Sequence, residues 1–108
     1  MEAKKYNSFE EAIRSFTIKD RDYAFVWHTL KPGEKIKPHY HKKADEWIVI
    51  NNGIFTVKLG KEDKSFNLKN EVLRLHFPKK QLHSFVAETK VSYFVFRNCE
   101  DKTIYIRR

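Results

Sequence analysis

The chain has little of what holds small secreted proteins together. Cys99 is the only cysteine in 108 residues, so an intrachain disulfide and a cysteine-rich zinc site are excluded. A cytoplasmic location is the resulting expectation. Glycine and proline are scarce, three of each. No linker, low-complexity tract or internal repeat divides the sequence, and one domain spanning 1–108 is expected. Long apolar runs are also missing, and none approaches the ~20 residues of a membrane-spanning helix. The opening MEAKKYNSFEEAIRSF carries Glu2, Glu10 and Glu11 and has no apolar stretch of the kind a signal peptide uses, so none is expected.

Apolar residues make up 41% and aromatics 15%, too much for a disordered chain and enough for one core. Lys and Arg number 22 against 14 Asp and Glu, a net charge of +8. These basic residues are scattered in pairs such as Lys4-Lys5, Lys42-Lys43, Lys79-Lys80 and Arg107-Arg108. They form no helical stripe and no Arg-rich arm. The charge therefore reads as a solvated surface with a mild bias toward anionic small molecules, and no nucleic-acid role is expected.

One early helix is legible at about 8–16. Phe9, Ala12, Ile13 and Phe16 fall on one helical face. Ser8 precedes them and Glu11 follows three positions later, the pattern of a capping box. Beyond it the chain reads as strand and turn, with strands expected at 22–30, 46–51, 54–59, 72–77, 83–87, 91–97 and 103–107 and shorter pieces at 36–41 and 64–68. Pro32-Gly33, Asn51-Asn52-Gly53, Gly60–Asp63 and Pro78–Lys80 supply turn residues between them. Many short strands at close spacing indicate an antiparallel sandwich or barrel. In 54–59, Phe55, Val57 and Leu59 alternate with Ile54, Thr56 and Lys58, so the first set is expected to face the core.

The chemistry-bearing stretch is GEKIKPHYHKKADEWIVINNG, from Gly33 to Gly53. His39 and His41 are two apart, so on a strand both imidazoles project from one face. Tyr40 between them is expected to face away. Glu46 has the wrong parity for a continuous strand, but Lys42–Asp45 is polar enough to turn and bring it back. His83 offers a further imidazole, which chain arithmetic alone does not fold onto the others. Three imidazoles and a carboxylate suit Mn, Fe, Ni, Cu or Zn, and such a set leaves positions open for water, O₂ or substrate.

At these residues the sequence resembles the cupin superfamily. The first cupin motif is Gly, five residues, His, one residue, His, three or four residues, Glu, six residues, Gly. It is matched in full by Gly33, His39, His41, Glu46 and Gly53. Of the second motif only Pro78 and His83 match. Val72, Lys80 and Ala87 stand where the family has Gly, Gly and Asn. The resemblance implies an all-β, antiparallel jelly-roll barrel entered by a short helix, binding one divalent metal through His39, His41, Glu46 and His83. It also implies a homodimer and a small-molecule ligand or substrate. The expected function is a metal-dependent enzyme of oxygenase, oxidase or isomerase type, with Glu46 as metal ligand and candidate catalytic base. The alternative is a non-catalytic module that binds a small molecule or metal.

Other residues read more plainly. His28 and His76 are expected as hydrogen-bonded strand residues. Arg74 and Arg97 are expected on a solvent face or rim, and either would clamp a carboxylate or phosphate if its face were the interior. Trp27, Trp47, Tyr93, Phe94 and Phe96 read as core or interface packing. Cys99 is expected to be an inert thiol.

Overall fold

Strand-forming residues and turn residues alternate along most of the chain, and the architecture follows that rhythm. The computed structural model describes residues 1–15, 26–99 and 101–106. In chain order these form β1 (Glu2–Tyr6), α1 (Phe9–Arg14), β2 (Val26–Leu30), β3 (Lys35–Tyr40), β4 (Glu46–Ile50) and β5 (Gly53–Leu59). There follow β6 (Glu62–Leu68), β7 (Val72–Phe77), β8 (His83–Ala87), β9 (Val91–Arg97) and β10 (Ile104–Tyr105). The strands make two five-stranded sheets, β1-β7-β4-β9-β2 and β10-β3-β8-β5-β6. Every pairing is antiparallel.

From β2 onward each connection passes from one sheet to the other, except the β5–β6 hairpin. This is the expected jelly roll. Among the described residues no strand pairing joins one sheet to the other, so the two face each other as an open barrel.

The apolar side chains that the alternation assigns to the interior are there. Phe55 and Val57 are fully buried, Leu59 packs at the edge of the core, and Phe55 stacks on Phe85 at 4.8 Å. With Leu68, Leu73, Leu75 and Val91 they fill one end of the space between the sheets. Each such side chain contributes about 1.5–3 kcal/mol by leaving water. Gly53 opens β5 at φ +119, and a Cβ there would lie 2.9 Å from Val91 Cγ2. The turn therefore requires glycine on both conformational and steric grounds.

Boundaries differ from expectation in places. The strand expected at 22–30 is seen as Val26–Leu30, and 22–25 lie outside the described residues. The strand expected at 103–107 is only Ile104–Tyr105. The helix is six residues long, with Ser8 as its N-cap accepting from Glu11 N at 3.1 Å, and Phe16 lies outside the described residues. Strand β1 was not anticipated at all. Its sequence EAKKY is mostly exposed and lacks an apolar alternation, and it pairs at the sheet edge with β7. The helix lies over the outer face of the same sheet, where Ala12, Val49, Val72 and Phe96 form a second, smaller core.

Candidate metal centre

Four ligand-type side chains meet at the other end of the interior. His39 is the next-to-last residue of β3, beyond a register shift between Ile36 and His39, and pairs opposite His83 at the start of β8. Pro38 lies within that irregular stretch, where a residue without an N–H is tolerated. His41 follows one position past the strand. Both imidazoles are buried, as the parity required, while Tyr40 is half-buried.

Glu46 comes from the opposite sheet. Residues 42–45 carry the chain across, and Asp101 fixes that crossing by accepting from Lys43 N at 2.5 Å and Ala44 N at 2.9 Å. Asp45 accepts from Lys79 N at 2.8 Å, and its own N–H donates to Asn98 Oδ1 at 2.9 Å. Glu46 therefore begins β4 pointing into the interior, and its parity against His41 is reset by a change of sheet.

The turn leading to His83 contains a left-handed residue that is not glycine. Lys80 adopts φ +70, a left-handed conformation that costs a non-glycine residue about 1–2 kcal/mol. Its N–H donates to His41 O at 2.5 Å, which ties this turn to the histidine strand.

Each imidazole is oriented from behind. His39 Nδ1 donates to Lys37 O at 2.7 Å, His41 Nδ1 to Lys102 O at 3.2 Å and His83 Nδ1 to Gln81 O at 2.9 Å. With Nδ1 protonated, each neutral ring carries its lone pair on Nε2. Phe77 stacks on His83 at 4.1 Å and holds its ring plane.

The ligand atoms of His39, His41, Glu46 and His83 all lie within 4.8 Å of one another. Glu46 Oε1 lies 3.3 Å from His83 Nε2, and Oε2 lies 3.0 Å from His41 Nε2. The second contact is not aligned as a hydrogen bond, so His41 Nε2 is a buried polar atom without a partner. A buried polar nitrogen is costly to leave unpaired. A divalent ion would satisfy it, and neutral imidazoles with one carboxylate are a donor set that fits such an ion.

The electrostatics agree. Burial pushes the Glu46 carboxyl up, but the adjoining imidazoles of His41 and His83 and the Arg97 guanidinium outweigh it, and the group is held below the usual carboxylate range. Burial is the largest influence on His39 and pushes it down, which favours the neutral ring.

A cavity of about 240 Å³ opens onto the cluster. Leu30, Ile36, Ile48, Phe85 and Val95 give it apolar walls. His28, Tyr93, Thr103, Tyr105 and Arg97 add polar groups. Two sequence expectations change here. His28 lines the cavity, stacked on Tyr93 at 5.4 Å, where a hydrogen-bonded strand residue was expected. Arg97 faces the interior, not solvent, because it continues the inward set Val91, Tyr93 and Val95; its Nε donates to Glu46 Oε2 at 2.9 Å. Arg74 and His76 lie away from the cavity. Arg74 is buried against Glu2 and Ser15, and His76 stacks on Trp47 at 4.8 Å. Trp27 is exposed and stacks on Phe9, and Cys99 is a half-buried free thiol. Thr103 and Tyr105 were not anticipated as lining residues. Even-numbered spacing picks out Tyr93, but nothing in the sequence marks the other two.

No protein-family model and no curated protein matches the chain. Solved structures do. KdgF from Halomonas sp. superposes with a TM-score of 0.60 at 21% identity, covering 73% of this chain and 72% of that one. A sugar phosphate isomerase from a cupin superfamily, from Silicibacter pomeroyi, gives 0.66 at 18% identity over 80% of this chain and 57% of that one. A cupin-2 domain containing protein from Shewanella frigidimarina gives 0.60 at 14% identity over 88% and 93%. This chain thus spans little more than half the length of the isomerase. At these identities the likeness is one of fold, and it bears out the jelly roll expected from the sequence.

Proposed function

We propose that this chain, a cupin by fold, holds one divalent transition metal through His39, His41, Glu46 and His83 and acts enzymatically on a small molecule in the adjoining cavity. The observation that carries this reading is the backing of all three imidazoles. Each Nδ1 is engaged by a backbone carbonyl, which leaves three Nε2 atoms and one carboxylate to converge. Groups merely satisfying one another would not leave His41 Nε2 unpaired.

Bound there, Fe, Mn, Ni, Cu or Zn would polarise ligand oxygens as a Lewis acid, and Fe or Mn would add O₂ chemistry of oxygenase or oxidase type. The chain's residues supply the rest. The apolar walls exclude water. The hydroxyls of Tyr93, Thr103 and Tyr105 orient polar atoms of the ligand. Glu46, the one carboxylate among the described lining residues, is the candidate proton acceptor for an isomerase-type step. A homodimer and a cytoplasmic location belong to the same proposal. The exposed Trp27, stacked with Phe9 and close to Phe94 on one outer face, supports the dimer.

Elemental analysis of untagged protein tests the metal, with His41→Ala as control. One equivalent is expected in the native chain and none in the variant. Turnover surviving chelation would sink the metal-dependent enzyme. Tight ligand binding without consumption would identify a binding module instead.

A further inference from the structure

We propose that Arg97 is the recognition group for small carboxylates in this cavity. The inference rests on the cavity being the substrate site and names the class of ligand it takes.

Arg97 pairs opposite Glu46 across β9 and β4, and its Nε–H donates to Glu46 Oε2 at 2.9 Å. That bond fixes the plane of the guanidinium. Among the described residues nothing engages the two terminal nitrogens. They form the fork that matches the two oxygens of a carboxylate. The side chain is 24% exposed and its terminal nitrogens are not sealed from the cavity, so the fork is accessible to an incoming ligand.

Charge points the same way. Glu46 and Arg97 balance each other. A divalent ion on the histidines would leave two positive charges uncompensated in a largely apolar cavity. The described lining offers no second carboxylate, and an anionic ligand would balance that charge.

A carboxylate fits better than a phosphate. The described lining has one arginine, no lysine and no helix end. Phosphate sites gather several donors, commonly backbone N–H groups at a helix start. Tyr93, Tyr105, Thr103 and His28 instead present single hydroxyl or ring N–H groups, suited to isolated hydroxyl or keto oxygens on a carbon skeleton. At about 240 Å³ the space lies below the usual range of drug-sized pockets, so the ligand is small. The expected class is a short hydroxy or keto acid.

The test is calorimetric titration of the full chain, zinc-loaded and metal-free, with lactate, pyruvate and inorganic phosphate as probes. Native protein, Arg97→Gln and Arg97→Lys are compared, each checked for fold by circular dichroism. One or both organic acids should bind the native chain more tightly than phosphate. Arg97→Gln should weaken that binding at least about tenfold, and Arg97→Lys should fall between, because lysine keeps the charge and loses the fork. Unchanged affinity in Arg97→Gln overturns the proposal, as does a preference for phosphate or binding of neither acid. Should Arg97→Gln not fold, unchanged affinity in Arg97→Lys overturns it alone. The metal-free titration separates the two readings. A chain that takes up no zinc defeats the metal proposal, while the Arg97 proposal is then judged on the metal-free arm.

Discussion

The sheet β1-β7-β4-β9-β2 carries one arginine on each face, Arg74 buried and Arg97 partly buried, and the two are used in opposite ways. On the outer face Arg74 engages its terminal nitrogens within the chain: Nη1 with Ser15 Oγ at 2.6 Å, Nη2 with Glu2 Oε1 at 2.6 Å, over the ring of Tyr6. Its Nε is left without a partner. On the inner face Arg97 engages Nε and leaves the terminal fork. The fork is the end that recognises planar anions. One arginine has closed that end on its own N-terminal strand and helix, and the other has kept it. Position in the sheet does not separate structural from functional charge here; which edge of the guanidinium is occupied does.

The comparison can be tested from either face. The largest effect is expected inside. His41→Ala removes a ligand, and metal affinity should fall by more than about a hundredfold, beyond what loss of an outer hydrogen bond costs. Equilibrium dialysis with zinc measures it, and a loss under tenfold would count against the ligand set. Arg74→Gln comes next. It should lower stability by about 2 kcal/mol, since it breaks charge-assisted bonds in a buried setting. It should leave carboxylate affinity unchanged. Urea unfolding and calorimetry together decide, and weakened carboxylate binding in this variant would erase the distinction between the two arginines.

Acidity probes the inner face alone. Glu46 is held below its ordinary value near 4.5 in the folded chain. Its contribution to metal-free stability is therefore full above that value and is lost as pH falls through the lower folded value. Urea midpoints of metal-free protein should drop with pH below about 4.5 more steeply than those of Glu46→Gln. Parallel curves would contradict the depressed carboxyl. The smallest effect is expected at the turn before His83. Lys80→Gly relieves the left-handed backbone and should stabilise by up to about 1 kcal/mol, with metal affinity retained.

The sequence was informative where local rules act. The two-residue spacing of His39 and His41 shows that their rings share a face, and the alternation in 54–59 identifies Phe55 and Val57 as core. Parity also carries Arg97 inward once Tyr93 and Val95 are known to be buried. Other features depend on distant contacts. Glu46 has the wrong parity because residues 42–45 change sheets, and Asp101, far along the chain, holds that crossing. Strand β1 has no apolar pattern because its side chains are mostly exposed; its identity comes from the free edge of β7. Lys80 gives no local hint that it takes a left-handed turn, since the bond that anchors it, to His41 O, is tertiary. Arg74 and Arg97 look alike in the sequence because each follows an aliphatic or aromatic run, and only their partners tell them apart.

The shuttling of the chain between sheets also bears on how the protein reaches its native state. Among the described residues the β5–β6 hairpin is the one local strand pairing from β2 onward, and every other pairing there waits for distant segments to find each other. Such topologies fold slowly. His39 and His83 can meet when β3 and β8 pair, but Glu46 joins them only when the second sheet closes over the first. Half-assembled chains thus carry the three histidines without the carboxylate. Metal captured by the full set would draw the equilibrium toward the finished structure and away from intermediates, so uptake of the ion should report the last step of folding, not an early one.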